Sequence, residues 1–182
     1  MLNKSVARRY AEAFFSIAHE ADKITEYQNE LGKIIQSIQE TEGLLEYFAH
    51  PLIPAKEKKE ITKQLFSKAV SLITLNFLML VLDKKRQTYL ELIFHEYEEM
   101  ADESRNIKKA ELISAMAVPE AEVSALAETL SRSTGKIIQL RLTIDPLLLG
   151  GVKIRMGDKI IDASIAKKLE MLKKNLKQAK IS

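Results

Sequence analysis

His95-Glu96-x-x-Glu99 is the cluster closest to a known chemical pattern. In a zinc-protease helix, two histidines four residues apart share one face and bind the metal, while the glutamate between them serves as base. Here Glu99 stands where the second histidine is needed, so a nitrogen ligand is missing. His19 and His50 are isolated in sequence and the chain has no cysteine, so the pattern reads as a solvated helix face and no metal is expected. Gly150-Gly151 followed by Lys153 suggests a phosphate cradle, but it has neither the P-loop nor the dinucleotide-fold spacing. It also leads into a strand where both of those motifs lead into a helix. The glycines read as a tight bend or bulge, with no cofactor. Glu98-Glu99 and Asp102-Glu103 pair carboxylates on what reads as an exposed helix end, and no serine or threonine has a nucleophile's surroundings. No catalytic residue is expected, and the chain does not read as an enzyme.

A different chemistry, that of surface charge, belongs to Lys167, Lys168, Lys173, Lys174, Lys177 and Lys180. Lysines near a helix C-terminus complement the macrodipole, and a charged outer face explains them. Attraction to an acidic partner helix or to anionic lipid headgroups stays open beside that reading.

Composition narrows the classes further. The 182 residues carry 28 basic and 25 acidic side chains, a net charge of +3, which is not the one-sided excess of a nucleic-acid binder. The absence of tryptophan and the 6% aromatic content leave few platforms for stacking bases. The apolar run from Leu72 to Leu82 falls short of the ~20 residues a membrane span needs, so no direct membrane insertion is expected. Met1 to Lys4 lead straight into helical pattern, without the marks of a signal or transit peptide.

Periodicity places these residues on elements. A first helix is expected from Ser5 to about Ala21 and a second through Ile24, Tyr27, Leu31, Ile34, Ile35 and Ile38. A short third covers Leu44 to Ala49, ended by His50-Pro51, and Pro54 suits the first turn of a fourth. A fifth runs from Ser71 to Lys84 and a long sixth from Thr88 to about Lys109. Past Ala110 the period changes: a strand over Glu111 to Val118, a helix over Glu120 to Thr134 stopped by Gly135, then a strand over Ile137 to Ile144. Val152 to Met156 and Lys159 to Ile161 form a hairpin around Gly157-Asp158, and Asp162 or Ser164 caps a last helix bearing Ile165, Leu169, Leu172 and Leu176. The expected fold is therefore α+β and mostly helical: a six-helix bundle over 1–109, then a small α+β domain with a short mixed sheet over 110–182.

The first and fifth helices carry more apolar surface than a bundle core requires. Val6, Ala7, Tyr10, Ala11, Ala13, Phe14, Phe15, Ile17 and Ala18 span an arc of roughly 200°, against the ~100° stripe of an ordinary surface helix. The fifth is apolar nearly all round, from Leu72 to Leu82. Either these helices are buried on several sides, or together they form a groove for an incoming amphipathic helix.

Three blocks in order resemble one family. They are Val6-Ala7-Arg8-Arg9-Tyr10-Ala11-Glu12-Ala13-Phe14, then Asn76-Phe77-Leu78 to Arg86 with Ile113-Ser114-Ala115, and Ile144 to Ser164, with its glycine pair and its Gly157-Asp158-x-x-Ile161-Asp162-x-Ser164 string. They resemble the delta subunit of bacterial F-type ATP synthases, the counterpart of the mitochondrial oligomycin-sensitivity-conferring protein. The resemblance implies a non-catalytic stator subunit of the proton-translocating complex, peripheral on the cytoplasmic face of the bacterial cell membrane. It would join the alpha subunit's N-terminal helix at the top of the catalytic head to the C-terminal end of the b subunit in the peripheral stalk, and so resist rotor torque. Carried over by the same resemblance, Tyr10, Ala13, Phe14, Asn76 and Leu80 would receive the alpha segment. Gly150, Gly151, Gly157, Asp158, Asp162 and Ser164 form the structural signature. For the b subunit, Val152, Ile154, Ile165 and Leu169 are candidates, although each reads more readily as ordinary core of a small α+β domain. From another class, a generic helical adaptor or a nucleic-acid-associated protein with a basic C-terminal helix remains the alternative.

Overall fold

The computed structural model describes residues 3–157 and 159–179, with side chains through Lys174. Asp158, Lys180 and the side chains of Leu176 and Lys177 fall outside the described residues. The chain divides into two compact units, Met1–Ser104 and Arg105–Ser182.

The first unit is all helical: α1 (Lys4–Glu20), α2 (Ile24–Glu40), α3 (Leu44–Ala49), α4 (Ala55–Phe66), α5 (Leu72–Asp83), a single 3-10 turn (Gln87–Tyr89) and α6 (Leu90–Ser104). Local chemistry sets the ends. Asn3 caps α1 by accepting the Ser5 N–H at 2.9 Å, which satisfies one of the donors that a helix start leaves unpaired. Pro54, expected inside the first turn of α4, instead precedes it as the N-cap in extended conformation. Ser71 caps α5 through the Thr74 N–H.

Three helices end on a left-handed residue that is not glycine. Asp22, Lys85 and Asn106 have φ of 54°, 53° and 58°, shortly after α1, α5 and α6 end. The Lys23 and Arg86 amides then return to Ala18 and Val81 carbonyls at 2.8 and 2.9 Å, the closing bond of a C-terminal cap. The sixth helix, expected to reach about Lys109, therefore stops at Ser104. Asn106 turns the chain and donates its side-chain amide to the Gly135 carbonyl at 2.9 Å, and Ile107, Lys108 and Lys109 become strand. Their pairing with Ile137, Ile138 and Gln139 outweighs the helical pattern that the sixth helix would have continued.

The core of this unit is built on α1 against α6. Ala7, Ala11, Phe14 and Ala18 of α1 and Ile93, Tyr97 and Ala101 of α6 are all buried, and the alanines let the two backbones approach closely. Tyr97 satisfies its hydroxyl on the Ile24 carbonyl at 3.0 Å. Lys58 of α4 is buried and donates to the Phe48 and His50 carbonyls, both at 2.7 Å, thereby capping the end of α3.

The second unit runs β1 (Ile107–Ser114), α7 (Glu120–Thr134), β2 (Ile137–Ile144), β3 (Val152–Met156), β4 (Lys159–Asp162) and α8 (Ile165–Ala179). The strands form one mixed sheet in the order β2-β1-β3-β4, with β1 and β2 parallel and the other pairs antiparallel. The mostly helical α+β class and the short mixed sheet are thus as expected, although β1 lies earlier than the expected Glu111 to Val118. Val123, Leu126 and Leu130 of α7 pack on Ala110, Leu112, Ile138 and Ile154, the alternate positions that share one face. On the other face Glu111 accepts from Thr143 at 2.8 Å and pairs with Arg155 at 2.7 Å, linking three strands.

The glycine pair sets the start of α8. Gly150 and Gly151 have φ of 139° and 81°. A Cβ on Gly151 would stand 2.7 Å from the Ala163 carbonyl oxygen and 2.9 Å from Ser164 Cα, so backbone passes where a side chain would be. The Gly150 carbonyl accepts the Ile165 N–H at 3.0 Å. Both sequence candidates then take part in the cap. Ser164, 1% exposed, accepts the Lys167 N–H at 3.3 Å, while Asp162 accepts the Ser164 N–H at 2.9 Å.

Gly151→Ala is expected to destabilise the chain by about 2 kcal/mol or more, from positive φ and steric overlap together, read as a lower urea midpoint. Asp162 titrates below the ordinary carboxylate range because the Ser164 hydroxyl and amide favour its charged form, with Lys153 and Lys167 nearby. Its contribution is present above its unfolded pKa of about 3.9 and is lost as pH falls through the depressed folded value. The Asp162 carboxyl signal followed by NMR should therefore have its midpoint below about pH 3.9, and Ser164→Ala should move that midpoint upward.

Candidate protein-binding surfaces

The carboxylates of α6 are not placed as expected. Glu96, read as part of a solvated face, is 2% exposed because it lies on the side of α6 that meets α1, beside Ile93 and Tyr97. Its charge is met by Lys4, whose ammonium lies 3.0 Å from Glu96 and 3.8 Å from Glu99. The hydrogen bond to Glu96 and the field of the two carboxylates raise the Lys4 pKa above the usual lysine value. His95 is exposed. Among the described residues no group of three or more His, Cys, Asp or Glu is disposed to hold a metal ion. The glycine pair feeds β3 and seats the start of α8, which accounts for its geometry without a phosphate.

Apolar surface is left over on α1. Its residues fall into two stripes one position apart. Ala7, Ala11, Phe14 and Ala18 are buried, whereas Val6 and Tyr10 are half-buried and Ala13 and Ile17 exposed. On α5, Thr74, Leu75, Phe77, Leu78, Val81 and Leu82 face inward, and Leu72, Ile73, Asn76 and Leu80 face out. Phe14 and Phe77 stack at 4.3 Å between ring centroids, which makes α1 and α5 neighbours. Each helix therefore presents an apolar stripe next to the stack that joins them.

Of the five residues expected on this surface, Ala13, Asn76 and Leu80 are exposed, Leu80 by 47%, and Tyr10 is half-buried. Phe14 lies elsewhere. It has no exposed surface and also meets Tyr27 and Tyr97, both at 5.5 Å between ring centroids, so it supports the surface from beneath. Ile17 and Ile73 lie on the same stripes, a helical step from Ala13 and from Asn76. Their signal in the sequence is helical spacing, i, i+4 from Ala13 to Ile17 and i, i+3 from Ile73 to Asn76.

The orientation of α5 is fixed by a carboxylate that sequence patterns do not single out. Glu30 of α2 accepts the Ser71 N–H and the Ser71 hydroxyl, each at 2.8 Å, and the Thr74 hydroxyl as well. A carboxylate at a helix start satisfies unpaired donors and suits the positive end of the macrodipole.

In the second unit, Val152 is half-buried and Ile154 buried, so both belong to the core, while Ile165 and Leu169 of α8 are exposed.

The sequence model described as "ATP synthase delta (OSCP) subunit" matches residues 6–176. The chain belongs to that family. It is 62% identical over 182 residues, all of both chains, to the ATP synthase subunit delta of Syntrophomonas wolfei. It is 40% identical over 181 residues, again the whole of each, to that of Desulforudis audaxviator. Among solved structures, a chain of the Toxoplasma gondii mitochondrial ATP synthase hexamer superposes with a TM-score of 0.71 at 17% identity, over 93% of this chain and 96% of that one. This likeness shows a shared fold. A delta-family chain is a non-catalytic stator component of the F-type ATP synthase, and the match along nearly the whole length sets aside the generic-adaptor and nucleic-acid alternative. No helix among the described residues is long and apolar enough to cross a membrane.

The placement of Phe14 beneath the α1 and α5 stripes of this delta-family chain separates folding from binding. Phe14→Ala should cost about 3–5 kcal/mol, whereas Ala13→Asp, at an exposed position, should stay within about 1 kcal/mol of the parent. Urea denaturation of the full chain measures both.

Proposed function

We propose that this delta-family protein completes the stator by gripping the N-terminal helix of the alpha subunit on its first unit and the C-terminal end of the b subunit on its second. The observation that carries the first contact is the pair of exposed apolar stripes on α1 and α5, flanking the Phe14–Phe77 stack. An amphipathic helix laid along them would cover Tyr10, Ala13 and Ile17 on one side and Ile73, Asn76 and Leu80 on the other. Ala13 permits close approach of the incoming backbone, and Tyr10 offers an amphipathic ring of the kind that often dominates binding energy. Phe14, with no exposed surface, would not touch the incoming helix and acts from beneath as the side chain that holds the two helices together.

The second contact is supported by the apolar side chains the second unit leaves exposed, Ile165 and Leu169 among them. In this role the protein works at the cytoplasmic face of the bacterial cell membrane, as a peripheral part of the complex. It keeps the catalytic head from turning with the rotor. Such a part depends on two simultaneous attachments, since each makes the other effectively intramolecular.

Titrating a synthetic peptide of the cognate alpha subunit's N-terminal segment into the full chain, by calorimetry, tests the first contact. Submicromolar binding is expected, weakened about a hundredfold or more by Ala13→Asp and by Leu80→Asp. Affinity unchanged by both substitutions would place the alpha segment elsewhere.

A further inference from the structure

The last helix carries an apolar seam that is exposed along its described side chains, with Ile165 46%, Leu169 56% and Leu172 55% exposed. Every described side chain of α8, from Ile165 to Lys174, is exposed, yet its start is held firmly by the Ser164 cap and the Gly150–Gly151 approach. An isolated helix of this length is marginal in water. On a helical projection Ile165, Leu169 and Leu172 fall within an arc of about 60°, and in the sequence Leu176 is the next member of the same i, i+4, i+7 series. That is the narrow a/d seam of a two-helix pairing, and it differs from the wide apolar face with which a helix lies in a membrane surface.

The residues beside the seam state the partner's charge. With Ile165 and Leu172 at d and Leu169 at a, Lys168 occupies the g position and Lys173 the e position, one on each side. In a parallel pairing of two copies of this chain, Lys168 would face Lys173 of the other copy, and like charges at g and e oppose association. The one described acidic residue of the helix, Glu170, lies away from the seam and pairs with Lys167 at 2.7 Å.

We infer that α8 is a docking helix whose occupant is an amphipathic helix with an aliphatic seam flanked by glutamate or aspartate, paired side by side with Ile165, Leu169 and Leu172. The inference rests on the reading of the second unit as the stalk-facing one, and it names the element and the charge pattern by which the stalk segment is recognised. It also makes attachment sensitive to ionic strength, because the flanking pairs are exposed to solvent.

The test uses the full chain and two designed helical peptides with the same leucine seam, one bearing glutamate at every e and g position and the other lysine. The glutamate peptide is expected to bind about tenfold more tightly or better, with the preference shrinking as salt rises. Lys168→Glu/Lys173→Glu should reverse the preference, a change that mere damage to the helix would not produce. Leu169→Asp should abolish binding of both peptides while the thermal melt of the chain stays unchanged. Equal affinity for the two peptides, a preference untouched by the double substitution, or binding to phosphatidylserine vesicles without peptide discrimination would each overturn the inference. A peptide from the C-terminal end of the b protein, titrated in parallel, separates this from the broader reading. If that segment binds the Leu169→Asp chain as well as the parent, α8 is the wrong element and the stalk reading stands. If the glutamate peptide binds through α8 and the segment binds nowhere, the docking chemistry stands and the stalk reading fails.

Discussion

The stack of Phe14 on Phe77, with Tyr27 and Tyr97 closing around it, is the contact on which the first unit depends. It brings side chains from α1, α2, α5 and α6 to a single point. Each aromatic pair adds about 0.5–1.5 kcal/mol beyond the area it removes from water. Once Phe14 points inward, the helical period fixes everything else on α1. Ala7, Ala11 and Ala18 fall on the buried side, and Tyr10, Ala13 and Ile17 are turned outward by one residue's rotation. The same holds on α5, where burial of Phe77 turns Asn76 out. The surface proposed for the alpha subunit is thus a geometric consequence of the core.

Two carboxylates hold this arrangement in place. Glu96 anchors the first turn of α1 through Lys4, and Glu30 anchors the first turn of α5 through Ser71 and Thr74. A charge as buried as Glu96 is costly to strip of water, and its pair with lysine recovers that cost only in part. What such a pair specifies well is register, because a helix slid by one residue would leave Glu96 without Lys4. Both carboxylates therefore act on the position of the two exposed stripes more than on the strength of the bundle.

Much of the architecture is readable from periodicity and punctuation, and the places where it is not share a cause. α2, α3 and α7 lie where apolar spacing and breakers put them, and Gly135 ends α7 as a left-handed cap. Periodicity extends the sixth helix too far because its stop is Asn106 rather than glycine, and because the strand it yields to is defined by pairing with β2, thirty residues further along. The pattern of a single segment carries no record of its partner strand. The binding surface is legible in outline as an arc too wide for a core. Which half of the arc points inward is not legible, since Ala13 and Phe14 differ by one residue, and only the packing of the other helices decides between them. Glu96 misleads for a similar reason: a glutamate in a charged run looks solvated until a lysine from another helix is found above it.

The second unit shows the complementary logic, with rigidity concentrated at one point so that a helix can stand free. Gly151 has no side chain because the backbone of Ala163 and Ser164 occupies that space, and the cap formed by Asp162 and Ser164 fixes the direction in which α8 leaves the sheet. From there on the helix offers its seam to solvent, a costly arrangement for an isolated domain and a sensible one for a part that works only when assembled. A stator link gains nothing from an enclosed pocket. It gains from long apolar contacts whose direction is set by rigid supports, because torque then acts across many side chains at once. Both the stripes on α1 and α5 and the seam on α8 have that form, and in each case the support is a close core or backbone contact, Phe14 on Phe77 in the first and Gly151 against Ala163 and Ser164 in the second.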